Sequence, residues 1–246
     1  PYTTLFRSDQ DESVYGIGVD ASEFIQFLTY EDTGVDVAID KSKPDGDIIV
    51  GSSTSTNTTR IYGKNSEGSY TQIDEFQLNS SRGTGDRTVD IKGNIAVSTT
   101  NDNEVVVFEK SGNKYTEVQR LNPTIPAPWQ NYSNVQIGFG KSLAITDSGD
   151  ILIGAPYQRG KGKTSYNSGI SSNLSNIGMV YVFRKTGGSF KQFSAIQPTT
   201  LTQNCRFGYS ISSSDNVVVI GAYDYHNAST NYLNGVHSGS AFVYEY

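Results

Sequence analysis

His226 and His237, with Tyr223, Asp224 and Tyr225 nearby in the chain, are the residues whose types fit acid–base chemistry or metal binding. No H-x-x-x-H pair, no nucleophile with a positioned base and no phosphate-cradling glycine loop accompanies them. They read as polar loop content or ligand contacts, and no enzymatic activity is expected. A second group is acidic. Asp40, Ser42, Asp45 and Asp47 bring oxygens into one short stretch, the donor type a hard cation such as calcium takes. Lys41, Lys43 and Pro44 interrupt it, and Asp45-Gly46 is by itself a turn signal, so the plainer reading is a solvated turn. Calcium is the one cofactor these residues suggest.

A third group is suited to recognition. Tyr157, Arg159, Lys161, Lys163 and Tyr166 lie in one long polar stretch, from Tyr157 to Ile177. Tyr223, Tyr225, His226, Tyr232 and His237 lie in another, from Tyr223 to Ser238. Tyrosine and arginine offer contact area and hydrogen bonds together, which favours them at binding surfaces. The competing reading is two tolerated insertions. Trp129, in Pro126-Ala127-Pro128-Trp129, is expected to pack between structural units rather than to present a ligand platform.

The elements that position these loops are repeats. Phe139-Gly140-Lys141-Ser142-Leu143-Ala144 leads to Gly154-Ala155-Pro156, and Phe207-Gly208-Tyr209-Ser210-Ile211 leads to Gly221-Ala222-Tyr223. Val35-Asp36-Val37-Ala38-Ile39 leads to Ile48-Ile49-Val50-Gly51 in the same grammar, and Thr88-Val89-Asp90-Ile91 leads to Ile95-Ala96-Val97-Ser98 in a worn copy. A second hairpin follows in each unit, with turns at Ser66-Glu67-Gly68, Ser111-Gly112-Asn113 and Thr186-Gly187-Gly188. The aromatic series Tyr62, Phe108, Phe183 and Tyr244 recurs at one place in the unit and is expected to be core. Four short strands per unit, recurring without helical periodicity, predict an all-β propeller of four-stranded antiparallel blades, with a solenoid as the competing architecture.

With Phe139-Gly140 … Gly154-Ala155-Pro156 as a full motif and Phe207-Gly208 … Gly221-Ala222 lacking only the proline, the chain resembles the FG-GAP repeat of integrin α-subunit-like β-propellers. The resemblance implies a toroid of blades at the cell surface or outside the cell, recognising protein or glycan ligands. It also implies calcium loops in some blades, a pattern that Asp40 to Asp47 meets poorly. Three function classes follow: a non-enzymatic binding or adhesion module acting through long loops on one rim, an accessory propeller of a larger secreted enzyme such as a hydrolase, or a purely structural ring without a ligand.

Pro1 to Ser8 matches the in-frame translation of a short-read sequencing adapter and is set aside as an artefact. The expected organisation of residues 9–246 is an open arc of about four to five blades, at 9–30 (partial), 35–79, 86–122, 136–198 and 206–246 (partial). The remaining blades of the ring, a signal peptide and an anchor are expected outside these residues. A net charge of -6 argues against a nucleic-acid partner. No apolar run reaches the length of a membrane span, so no membrane insertion by this segment is expected. Cys205 is the single cysteine and reads as a small buried residue. Sequons at Asn57, Asn79, Asn131, Asn173 and Asn227 permit secretion without arguing for it, since a chain rich in Asn, Ser and Thr holds several by chance.

Overall fold

The computed structural model describes residues 33–245 apart from 53–56, 79–86, 101, 164–168 and 225–238. The expected partial blade at 9–30 lies outside the described residues. The rest forms four antiparallel sheets that follow one another along the chain. Blade 1 is β1 (Thr33–Ile39), β2 (Ile48–Ser52), β3 (Thr58–Lys64) and β4 (Tyr70–Gln77). Blade 2 is β5 (Val89–Lys92), β6 (Ile95–Thr99), β7 (Val105–Ser111) and β8 (Lys114–Leu121). A one-turn helix, α1 (Asn134–Ile137), precedes blade 3. Blade 3 comprises β9 (Ser142–Ile145) and β10 (Ile151–Ala155), then an inserted hairpin of β11 (Gly160–Lys163) and β12 (Ile170–Leu174), then β13 (Met179–Thr186) and β14 (Ser189–Ile196). Blade 4 is β15 (Phe207–Ser214), β16 (Val217–Ala222) and β17 (Ser240–Glu245). This is the all-β propeller expected from the repeats.

Two features differ from the sequence reading. The stretch after Gly154-Ala155 is not wholly loop, because Gly160 and Gly162 let β11 run close to Leu201 and Gln197 while β12 pairs with it. The helix was not expected. Ser133 and Gln136 form a capping box and Gly138 ends the helix at φ 67, so local capping sustains one turn without any helical period.

Register explains the repeated aromatics. Tyr62 stands opposite Ile48, Phe108 opposite Ala96, Phe183 opposite Ile151 and Tyr244 opposite Val218, which makes these four positions equivalent. Side chains alternate along strands, so each blade sends one set of residues back to the preceding blade and the neighbouring set forward to the next. Ile49 and Ile61 of blade 1 share a core with Ala96 and Phe108 of blade 2. Val97 and Val107 of blade 2 share one with Tyr181 and Phe183 of blade 3, and Leu152 and Val182 of blade 3 one with Val218 and Ile220 of blade 4. The hydrophobic core is thus a series of slabs between blades. Three blades also carry the same irregularity: a register shift at Ile61/Tyr62, Val107/Phe108 and Val182/Phe183 inserts one extra residue in the outermost strand, twisting each edge alike.

The motif glycines have a packing reason. A Cβ on Gly154 of blade 3 would lie 2.1 Å from the carbonyl oxygen of Gly208 in blade 4, and a Cβ on Gly51 would lie 2.6 Å from the carbonyl oxygen of Arg87 in blade 2. The Phe-Gly step of one blade therefore presses its backbone onto the Gly-Ala step of the blade before, and Ser142 Oγ donates to Gly208 O at 2.8 Å to fix the contact. Arg87 is fully buried at the first of these junctions and donates to the carbonyls of Thr99 and Leu78 and to Asn57 Oδ1. Asn57, one of the sequons, is committed to that network.

Carboxylates staple the innermost strands. Asp36 Oδ2 accepts from Val89 N at 2.9 Å, and Asp90 Oδ2 accepts from Ile145 N at 2.6 Å, tying blade 1 to 2 and blade 2 to 3. Those strands surround an axial cleft of about 140 Å³, with Ile39, Asp90, Lys92, Ile145, Ile211 and Ser213 among its walls. Burial outweighs the backbone hydrogen bonds at Asp90 and pushes its carboxyl up to about 6, and Asp36 is raised for the same reason. A folded-state value above the unfolded one favours the protonated native state. The contribution is therefore complete below the unfolded pKa of 3.8 and is lost as pH rises through about 6. After allowance for partial exposure, ionisation of Asp90 is expected to cost about 1–2 kcal/mol. Melting temperature should accordingly fall between about pH 4 and pH 6.5, and Asp90→Asn should flatten that fall. An unchanged slope in the variant would assign the pH dependence elsewhere.

Candidate functional site

Antiparallel order sorts the loops to two rims. Connections from second to third strand, and from the fourth strand to the next blade, open on one rim, while the short turns between first and second strands open on the other. Tyr157, Arg159 and Tyr223 follow second strands, and Lys161 lies on β11 just beyond, so all four belong to the first rim. Tyr166, Tyr225, His226, Tyr232 and His237 lie outside the described residues.

On that rim the junction of blades 3 and 4 carries a continuous strip of rings and cations. The Arg206 guanidinium sits 6.0 Å from the Tyr157 ring centroid and 5.2 Å from that of Tyr223. Tyr223 stacks on Tyr209 at 5.1 Å, and Lys141 Nζ lies 5.9 Å from Tyr209. Beside the strip, Arg159 lies 5.7 Å from the ring of Tyr132. Tyr157 is wedged against Gly138, where a Cβ would meet its ring at 2.6 Å. Tyr209, Tyr223 and Tyr132 are exposed. Cations over tyrosine faces gain about 0.5–1 kcal/mol each at such sites, enough to order the strip but not to neutralise it.

Among the described residues the charge at the strip is uncompensated. Among the described residues Lys141, Arg159, Lys161 and Arg206 form no ion pair with a carboxylate, although the chain carries a net charge of -6. Arg206 stands out further. It holds φ 55, the left-handed region, and its Nε is buried with no partner. Gly138, just before Phe139-Gly140, takes φ 67 at the place Arg206 takes before Phe207-Gly208. A non-glycine residue in this conformation costs about 1 kcal/mol, a burden that marks positions kept for a reason other than stability. Of the residues gathered here, the sequence alone had singled out Tyr157, Arg159 and Tyr223, and not Arg206, Lys141, Tyr209 or Tyr132. The usable signal was an arginine where the twin repeat has glycine.

The acidic turn on the other rim is organised for different ends. Asp40 Oδ1 accepts from the backbone of Ser42 and of Gly93, both at 2.9 Å; desolvation by burial pushes the carboxyl up, but these hydrogen bonds together outweigh it, hold the carboxyl below its usual value and join blade 1 to blade 2. Asp47 is ion-paired with Lys110 and accepts from Tyr115 Oη at 2.7 Å. Asp45 is paired with Lys64 at 2.6 Å at the surface. Of the carboxylate oxygens expected at a calcium ion, Asp45 Oδ1 and Asp47 Oδ2 are thus engaged by lysines and Asp40 Oδ1 by backbone, while Asp40 Oδ2 is buried without a partner. Among the described residues no group of three or more His, Cys, Asp or Glu is gathered to hold a metal.

Other candidates are structural. Trp129 is buried and donates from Nε1 to Asn173 Oδ1 at 3.1 Å, clasping the β11–β12 hairpin and engaging a second sequon. Cys205 is buried, its thiol donates to Ile177 O at 3.1 Å, and burial pushes its pKa up to about 11, so it is protonated and inert at neutral pH. No helix among the described residues is long and apolar enough to cross a membrane.

Comparison with known proteins gives one repeat profile and two solved structures. No curated protein sequence matches the chain. Among solved structures it is similar to the β-propeller domain of Cps50 (Swd1) from Myceliophteria thermophila, with 9% identity, 75% of this chain and 49% of that one covered, and a TM-score of 0.42. It is also similar to Sqt1 from Saccharomyces cerevisiae, with 12% identity, 78% and 43% covered, and a TM-score of 0.41. The chain therefore spans less than half the length of either. Residues 195–244, from β14 through blade 4, match the sequence profile of the FG-GAP repeat. With that repeat on blade 4, and the Phe-Gly step of blade 4 meeting the Gly-Ala step of blade 3, the chain is a β-propeller that carries an FG-GAP repeat.

Proposed function

We propose that this chain is a non-enzymatic binding module that recognises a protein or glycan ligand through the rim at the junction of blades 3 and 4. The observation that carries the reading is Arg206: a left-handed arginine whose guanidinium lies 6.0 Å from the Tyr157 ring and 5.2 Å from that of Tyr223, with its Nε buried and unpartnered. An uncompensated guanidinium framed by rigid aromatic rings is suited to acidic groups, because Arg forms bidentate charge-assisted hydrogen bonds while tyrosine supplies ordered contact area. Lys141, Arg159 and Lys161 extend the positive field along the same rim. FG-GAP repeats are typical of extracellular proteins, and the cell exterior or surface is the proposed location.

The test is a glycan array together with a printed panel of secreted proteins, probed with the purified chain in 0.15 M salt. Binding to at least one acidic component is expected, and Tyr223→Ala should weaken it about tenfold, the loss of a contact worth about 1.4 kcal/mol. Absence of binding above background on both surfaces, or binding indifferent to Tyr223→Ala, would remove the rim from consideration.

A further inference from the structure

The strip at the junction of blades 3 and 4 is a row rather than a point. Lys141, Tyr209, Tyr223, Arg206 and Tyr157 follow one another in that order, at separations from 5.1 to 6.0 Å. Two stacked rings therefore stand between the two cations. A site for one small anion would bring both cations onto the same oxygens, whereas this spacing suits a ligand that carries its charges apart.

What the row turns outward narrows the chemistry. Tyr223 has the Tyr209 ring stacked against it and the Arg206 guanidinium over it, and Tyr209 has the Tyr223 ring and the Lys141 ammonium. With these faces engaged inside the strip, the exposed parts are ring edges and hydroxyls: the electropositive margin of an aromatic, and a group that both donates and accepts. The hydroxyls of Tyr132, Tyr209 and Tyr223 have no hydrogen-bond partner among the described residues. Every exposed valine and isoleucine among the described residues, and Phe193, stands on a strand outside the strip. In the segments that build it, 131–141, 156–161, 203–209 and 221–224, the single carboxylate is Asp224.

We infer, resting on the rim reading above, that the ligand is an extended acidic polysaccharide, with its carboxylate or sulfate groups on Arg206 and Lys141 and its hydroxyls on the tyrosine edges between them. Sugar and phenol hydroxyls pair in either direction, so a row of tyrosines accommodates many sugar orientations. A folded protein partner is favoured by an apolar interface centre, and the strip holds no aliphatic side chain. An acidic peptide brings a backbone N–H donor with nearly every carbonyl, and Asp224 is the one carboxylate here to receive them. Single-stranded nucleic acid needs open ring faces on which to stack its bases, and those of Tyr209 and Tyr223 are engaged.

The test measures binding of the purified chain in 0.15 M salt to polygalacturonate, dextran sulfate, neutral dextran, poly-L-glutamate and an oligothymidylate. At least one of the two acidic polysaccharides is expected to bind at least tenfold more tightly than poly-L-glutamate or the oligothymidylate, with no binding of dextran; which of the two binds separates carboxylate from sulfate. Hexasaccharides of the polymer that binds should bind at least tenfold more tightly than its disaccharides. Lys141→Ala, at an exposed position, should remove that advantage and leave the melting temperature unchanged. Failure of both acidic polysaccharides to bind would overturn the inference, as would equal affinity for hexasaccharide and disaccharide, or an oligothymidylate bound within tenfold of the better polysaccharide. Poly-L-glutamate bound within that margin, and weakened by Tyr223→Ala, would overturn the polysaccharide while leaving the rim in place. Polyanion binding that neither Tyr223→Ala nor Lys141→Ala weakens would overturn both.

Discussion

Gly154→Val is expected to lower stability by about 3 kcal/mol or more and to separate blade 3 from blade 4. Every β carbon at this position falls 2.1 Å from the Gly208 carbonyl oxygen, inside van der Waals contact with backbone that cannot rotate away. Relief would require moving a whole blade, which would open the core shared by Leu152, Val182, Val218 and Ile220. Gly169 provides the control. A Cβ there meets nothing within 4 Å, so Gly169→Ala should be neutral, although both positions are simply glycine in the sequence. Urea denaturation of the two variants checks the contrast, and a Gly154→Val chain of ordinary stability would show that the blades do not touch where described.

Phe139→Ala is expected to cost about 3–5 kcal/mol, the range for truncating a fully buried phenylalanine. The Phe139 ring is inaccessible and meets Tyr181 and Phe183 edge-on, at centroid separations of 5.6 and 6.2 Å. It lies in the slab that also holds Val97, Val107 and Leu121 of blade 2, so the cavity would open between blades rather than within one. Phe139→Leu, which refills most of that volume, should recover more than half of the loss. Calorimetry on the pair separates a packing role from any role of the ring in recognition. Equal melting temperatures for wild type and Phe139→Ala would refute the assignment of this residue to the core.

The fold was legible because the repeat writes its register into the sequence. Tyr62, Phe108, Phe183 and Tyr244 recur at one place because each backs onto the preceding blade, and the Phe-Gly and Gly-Ala steps recur because they touch. Blade 2 reads as a worn copy for a physical reason. Arg87 and its hydrogen bonds do at the first junction what Gly208 and Ser142 do at the third, so the interface survives without the letters. The extra residues in the outer strands at Ile73, Val118 and Phe193 left no trace, since a bulge changes pairing and not composition.

The site was legible in part. Long insertions after second strands pointed to one rim and to Tyr157, Arg159 and Tyr223, which the structure places there. Arg206, Tyr209 and Lys141 reach the same strip from the connections that enter blades 3 and 4, segments that are distant from the insertions in sequence and adjacent only once blades are stacked. The acidic turn shows the opposite relation. Its carboxylates are close in sequence, yet Lys64, Lys110 and the Gly93 backbone claim them one by one from other strands.

The most direct test of the rim is Arg206→Gly, measured at once for stability and for binding to whichever array component gives the strongest signal. Glycine adopts the left-handed conformation freely, as Gly138 does at the equivalent place, so the melting temperature should hold or rise, by the equivalent of about 1 kcal/mol. Affinity for that component should fall at least tenfold, with a shallower dependence on salt. A variant that melts no lower and binds as tightly as the wild type, with the same salt dependence, would contradict the account.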